Sequence, residues 1–190
     1  MPAMAQTFDV CIRGSGIVGR TLALLLARDR LRVALVGPSD TPSSAEPHED
    51  VRAYALNAIS RGLLQSLRAW PDARHATPVA RMEIQGDQDG SVHFDAAAQG
   101  VDALAWIVDV PALEARLAEA VRYQPQVELV SSPVPATLTA VCEGRASRTR
   151  DEFGVEFATT PYAQQAIAAR LHCTVPHAQI ARQWFQADGG

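Results

Sequence analysis

Phe8 to Arg13 is a short apolar run holding Val10 and Ile12, followed at once by a glycine-rich turn, and the pattern predicts a buried strand. Thr21 to Asp29 is rich in Leu and Ala, which favour helix, and Leu31 to Val36 is a second β-branched run closed by Gly37-Pro38. Together these segments predict a strand, turn, helix, strand unit. Ser39 to Asp50 is polar, carries two prolines and has no period, so it reads as an exposed loop. From Asn57 the apolar residues Ile59, Leu63, Leu64, Leu67 and Trp70 recur at three- and four-residue steps, which predicts a helix of about three turns with Asn57 as N-cap and Pro71 as stop.

Further along, Arg81 to Gln85 and Ser91 to Asp95 alternate apolar and polar residues around Gly86-Asp87-Gln88-Asp89-Gly90, which predicts a hairpin and the start of an antiparallel layer. Leu113, Leu117, Ala120 and Val121 mark a helix entered through Val110-Pro111. Strands are predicted at Val127 to Val130, Leu138 to Cys142, Gln165 to Cys173 and Gln179 to Phe185. The fold class is therefore α/β: a Rossmann-like parallel-sheet domain over residues 1–80 and 106–154, with part of an antiparallel sheet over 81–105 and 155–190.

Length adds a bound, because 190 residues allow one domain with a core and part of another. A formal charge of −4, with no Lys/Arg-rich run, argues against a nucleic-acid partner. The longest purely apolar run, Leu22 to Ala27, is far shorter than a membrane span, and Met1 to Thr7 lacks the cationic start of a secretory signal, so a cytoplasmic location is expected. Cys11, Cys142 and Cys173 are odd in number and widely spaced, and are expected to be reduced, buried thiols. His48, His75, His93, His172 and His177 form no ligand pattern, so no metal site is expected. Trp70, Trp106 and Trp184 read as core residues, and Asp109 as a helix N-cap rather than a catalytic acid.

The chemistry sits in Gly14-Ser15-Gly16-Ile17-Val18-Gly19, a G-x-G-x-x-G turn directly after a strand and before a helix. The first glycine permits the turn, the second lets backbone approach a pyrophosphate, and the third lets helix pack on strand. The phosphate charge then meets the N–H groups of the helix N-terminus. The acidic residue that would hold a ribose at the end of the second strand is replaced by Gly37, with Asp40 the nearest substitute. These residues leave NAD, NADP and FAD open. Arg13, inside a buried strand, must reach solvent or find an anion or carboxylate.

The run Asp9 to Val36 followed by Val51-Arg52-Ala53-Tyr54-Ala55-Leu56-Asn57, then the Met82 to Phe94 hairpin and Trp106-Ile107-Val108-Asp109, resembles the class A flavoprotein monooxygenases, specifically the ubiquinone-biosynthesis hydroxylases of polyprenylated phenols. That resemblance implies FAD as cofactor, NAD(P)H as reductant and a prenylated phenol as substrate. It implies that Arg52, in an R-x-x-A-L segment, lies along the flavin. Cys142-Glu143-Gly144-Arg145-Ala146-Ser147 looks like the family's D-G motif, with Glu143 in place of aspartate, and Glu143 and Gly144 become cofactor candidates beside Gly14, Ser15, Gly16, Ile17, Val18 and Gly19. The hard chemistry would belong to the flavin, so no catalytic side chain is assigned.

The family's G-D motif has no counterpart in these 190 residues, so the sequence reads either as part of a longer enzyme or as a shortened protein that does not hydroxylate. Either way, apolar surface should be exposed, and association as a homodimer or in a biosynthetic complex would be one way to cover it, while the greasy substrate that the resemblance implies would mean only peripheral contact with a bilayer. Two rivals remain: a nicotinamide-dependent Rossmann oxidoreductase, and a non-catalytic nucleotide-binding or interaction chain.

Overall fold

A computed structural model describes residues 8–37 and 50–187, and these form two compact units. Most of the predicted loop at 39–50, with Asp40 and His48, lies outside the described residues.

The first unit comprises residues up to His48, Leu67–Ala69 and Glu114–Ala166. Its centre is a four-stranded parallel sheet in the order β8-β2-β1-β9, built from β1 (Phe8–Arg13), β2 (Val33–Val36), β8 (Val127–Val130) and β9 (Ala136–Val141). Register pairs Val10 with Val33 on one side of β1 and with Leu138 on the other. Val10, Cys11 and Ile12, and Val33, Ala34 and Leu35, are all buried, as expected of central parallel strands covered on both faces. Helix α1 (Ile17–Arg28) packs on β1, β2 and β8 through Ala23, Leu24 and Ala27. Helix α3 (Val110–Arg122) has its first turn in the second unit and buries Leu117 and Val121 in the first. Arg20 of α1 donates to the Glu114 carbonyl at 3.3 Å.

β8 and β9 stand at opposite edges of this sheet yet are joined only by residues 131–135. A parallel crossover usually needs a dozen or more residues. Pro133 and Pro135 favour the extended backbone such a short link requires. Beyond β9 a short helix, α4 (Thr149–Glu152), is the last helix or strand of the unit among the described residues.

The second unit comprises Glu49–Ser66, Trp70–Leu113 and residues from Ile167 on. One antiparallel sheet has the order β3-β7-β4, from β3 (Ala53–Leu56), β4 (Ala76–Val79) and β7 (Ala105–Asp109). The other has the order β10-β5-β6, in which β5 (Arg81–Gln85) and β6 (Ser91–Asp95) form the predicted hairpin and β10 (Ile180–Trp184) adds in parallel to β5. Helix α2 (Ala58–Ser66) follows β3, and the Asn57 side chain accepts from the Ser60 N–H at 2.9 Å, the cap read from the sequence. The Arg61 guanidinium lies 4.4 Å from the ring centre of buried Trp106, against which Trp70 packs edge-on at 6.4 Å.

Four expectations are corrected. Residues 165–173 form no strand: every side chain there is exposed and no neighbouring strand pairs with the segment. Helix α2 stops at Ser66 rather than near Pro71, because Arg68 takes a left-handed conformation at φ 56°. Of the thiols only Cys11 is buried; Cys142 is half-buried and Cys173 exposed. Trp184 sits on an open edge strand, half exposed, with its indole N–H donated to the Gln85 side-chain oxygen at 2.6 Å.

Candidate dinucleotide site

The turn between β1 and α1 is shaped by what surrounds each glycine. Gly14 has φ 111°, which a side chain would strain, and a Cβ there would lie 2.5 Å from the Cys142 carbonyl oxygen. A Cβ on Gly19 would meet the Gly14 carbonyl oxygen at 1.8 Å, so the helix can sit against the turn only with glycine there. Gly16 is different: its backbone is extended at φ −74°, ψ −172°, and a Cβ there would meet nothing within 4 Å. Outer glycines locked by backbone contact and a middle glycine facing open space make a cradle that a pyrophosphate can enter. No side chain caps α1 at Gly16, a kind of helix start that can receive an anion.

Two further parts of this unit wall the turn. At the end of β2, a Cβ on Gly37 would lie 2.5 Å from Ser15 Oγ. The missing ribose-binding acid thus has a steric counterpart: Ser15 fills the room that a side chain at 37 would need. From β9, the Cys142 N–H donates to the Arg13 carbonyl at 2.7 Å, which binds the Cys142-Glu143-Gly144 segment to the glycine turn. Gly144 is left-handed at φ 71° with open space about it.

Both oxygens of Glu143 are engaged locally. They accept from Ser147 Oγ at 2.7 Å, Thr149 Oγ1 at 2.7 Å and the Thr149 N–H at 3.2 Å, and Arg13 Nε stands 3.5 Å away. The Ser147 and Thr149 bonds hold the Glu143 carboxyl below the usual carboxylate range. The other end of Arg13 makes a two-pronged pair with Glu152, at 2.5 and 3.0 Å, which holds that carboxyl low and raises the guanidinium. The charge inside β1 therefore finds carboxylates, one of the two outcomes its burial demands.

Arg52 belongs to the second unit, just before β3. Its guanidinium grips Asp50 at 2.6 to 3.1 Å, which pushes the aspartate down to about 2. In the same unit Asp109 ends β7 and faces His75 Nδ1 at 2.9 Å and Arg170 Nη2 at 2.8 Å. Burial raises its pKa, but those partners outweigh it and hold the carboxylate low.

Comparison with known proteins places these features. Protein-family profiles give no match to the chain. In sequence it is 27% identical over 211 residues to 3-demethoxyubiquinol 3-hydroxylase of Escherichia coli (strain K12), an alignment covering 97% of this chain and 53% of that protein. In structure it is similar to PqsL, a probable FAD-dependent monooxygenase from Pseudomonas aeruginosa, with a TM-score of 0.60, 20% identity and coverage of 83% of this chain and 48% of that one. The fold is that of the FAD-dependent monooxygenases. The p-nitrophenol 4-monooxygenase PnpA from Pseudomonas putida DLL-E4 shares the monooxygenase fold at a TM-score of 0.58 and 20% identity, over 80% of this chain and 44% of that one. The resemblance read from the residues thus holds in sequence and in fold, and the chain spans about half the length of the relatives it matches.

Within this monooxygenase fold, Gly14 to Gly19, Glu143 and Gly144 come together in the first unit. Sequence reasoning missed Ser147, Thr149 and Glu152. Arg13 was the only pointer, since a charge in a buried strand requires a partner, but nothing in the sequence selects Glu152 from the other acids.

Proposed function

We propose that this chain is the N-terminal, FAD-binding part of a flavin-dependent aromatic hydroxylase acting on a polyprenylated phenol in ubiquinone biosynthesis. The observation that carries the reading is the glycine turn, in which Gly16 faces open space while Gly14 and Gly19 are fixed against backbone. Support for the substrate class comes from the likeness, over nearly the whole chain, to a protein named as a demethoxyubiquinol hydroxylase.

In this reading the backbone of Gly14, Ser15, Gly16, Ile17, Val18 and Gly19 holds the pyrophosphate at the start of α1. Glu143 and Gly144 form the wall of that cradle, and Arg52 is assigned to the flavin on the family resemblance. FAD, when bound, supplies the redox chemistry, with NAD(P)H as reductant and oxygen as oxidant. The chain's own part is to bind and orient, which is why no side-chain acid or base need be invoked. No helix among the described residues is long and apolar enough to cross a membrane, so a substrate dissolved in the bilayer would be met by peripheral contact.

The test is a visible absorption and fluorescence titration of the purified chain with FAD, with NAD and NADP titrated by calorimetry in parallel. Flavin binding with a shifted spectrum, abolished by Gly16→Val, is the expected result. Binding of a nicotinamide nucleotide alone would overturn the hydroxylase reading, and binding of none would overturn the cofactor assignment.

A further inference from the structure

Arg13 adjoins the first glycine of the turn, a position where the phosphate argument asks only for backbone. Its side chain is largely buried, its Nε makes no hydrogen bond, and it stands between Glu143 on the segment that walls the turn and Glu152 on α4. Two carboxylates, both held in the charged form by their bonds, therefore sit beside a cradle shaped for an anion. Left alone they would disfavour an anion there, because like charges interact more strongly through a protein edge than through water. Arg145, Arg148 and Asp151 of the same segment are exposed, so solvent screens them. Arg150 is half-buried but spends its guanidinium on the Arg145 carbonyl and the Phe157 ring.

We propose that Arg13 is a positioning residue that sets the charge of the dinucleotide cradle: it offsets one of the two negative charges of Glu143 and Glu152 and holds the Glu143-Gly144 segment in place, so that a pyrophosphate-bearing ligand can enter. The proposal rests on the dinucleotide reading of the glycine turn. It makes the two ends of one ion pair act with opposite sign. Removing Glu152 takes the cluster from a net charge of about −1 to zero and strengthens anion binding, while removing Arg13 takes it to about −2 and weakens it. A merely structural pair would give weakening from both sides.

The experiment titrates FAD, and separately ADP as a diphosphate without flavin, into the full chain and into Glu152→Gln, Arg13→Ala and Arg13→Lys, at about 20 mM and 500 mM salt. At low salt Glu152→Gln, which alters a half-exposed side chain, is expected to tighten binding and Arg13→Ala to loosen it, each by roughly three- to tenfold for a unit charge at this range. Arg13→Lys, which keeps the charge, should stay close to the unmodified chain. High salt should shrink all the differences, because the Debye length falls to about 4 Å. Weakening by Glu152→Gln, or an Arg13→Ala loss that ignores salt, would overturn the proposal. If ADP follows this series while FAD does not bind, the flavin reading fails and the charge role of Arg13 stands; if the unmodified chain binds neither ligand, both fail.

Discussion

The three glycines of the turn should fail in different ways when a methyl group is added. For Gly19→Ala the new Cβ would sit 1.8 Å from a backbone carbonyl oxygen, so α1 must move off the turn, and overpacking of this kind should cost about 3 kcal/mol of stability. For Gly16→Ala there is nothing within 4 Å to collide with, and φ −74° suits any residue. Loss of backbone freedom in the unfolded chain should stabilise that variant by about 0.4–1 kcal/mol, and the poorer N-cap should offset a few tenths, leaving a net change within roughly 0.5 kcal/mol. What Gly16→Ala does remove is the space for phosphate, and Gly16→Val removes more. A clash of about 1–3 kcal/mol with the ligand corresponds to roughly 5- to 150-fold weaker binding. Urea denaturation of each variant, paired with FAD titration, reads both quantities on the same protein. Equal destabilisation by Gly16→Ala and Gly19→Ala, or unchanged FAD affinity in Gly16→Val, would refute the reasoning.

The carboxyls of Glu143 and Glu152 are held below their ordinary range, so their contribution to stability is complete above about pH 4.5 and is lost as pH falls through the depressed native values. Thermal melts from pH 6 to 3 should therefore fall more steeply for the unmodified chain than for Glu143→Gln, and parallel profiles would count against it. Trp106→Ala, at a buried ring, should cost about 3–5 kcal/mol, whereas Trp184→Ala on the exposed edge should change stability by less than about 0.5 kcal/mol; chemical denaturation compares them. Thiol labelling should run Cys173 first, then Cys142, whose thiol burial pushes up, then Cys11; mass spectrometry of a time course gives the order. Deleting Ser132 should unpair the start of β9, while inserting two flexible residues should cost only about 0.6 kcal/mol or less, measured by denaturant midpoint.

Much of this was legible because local pattern and global fold agree in the first unit. β1, the glycine turn and the hairpin of β5 and β6 were set by their own residues, and Asn57 announced its cap. Where partners decide, the sequence was silent. Residues 165–173 have an apolar content that fits a strand, yet no edge receives them, and Trp184 looks like core until its strand proves to lie at a sheet edge. The Glu143 cluster shows the same limit: Ser147 and Thr149 follow closely in sequence, but the cation that completes it comes from the far end of the unit.

That distance has a consequence for how the protein is made. β1 pairs with β9 in a register that sets Phe8 against Ala136, and the wall of the glycine turn is the segment just after β9. As the chain leaves the ribosome, the strand, turn and helix that carry the phosphate motif appear early, but the surface that braces them arrives more than a hundred residues later. Contacts so far apart in sequence close slowly. The braced glycine turn is thus among the last parts of its unit to mature, and a nascent chain halted before Cys142 would display the motif without the wall behind it.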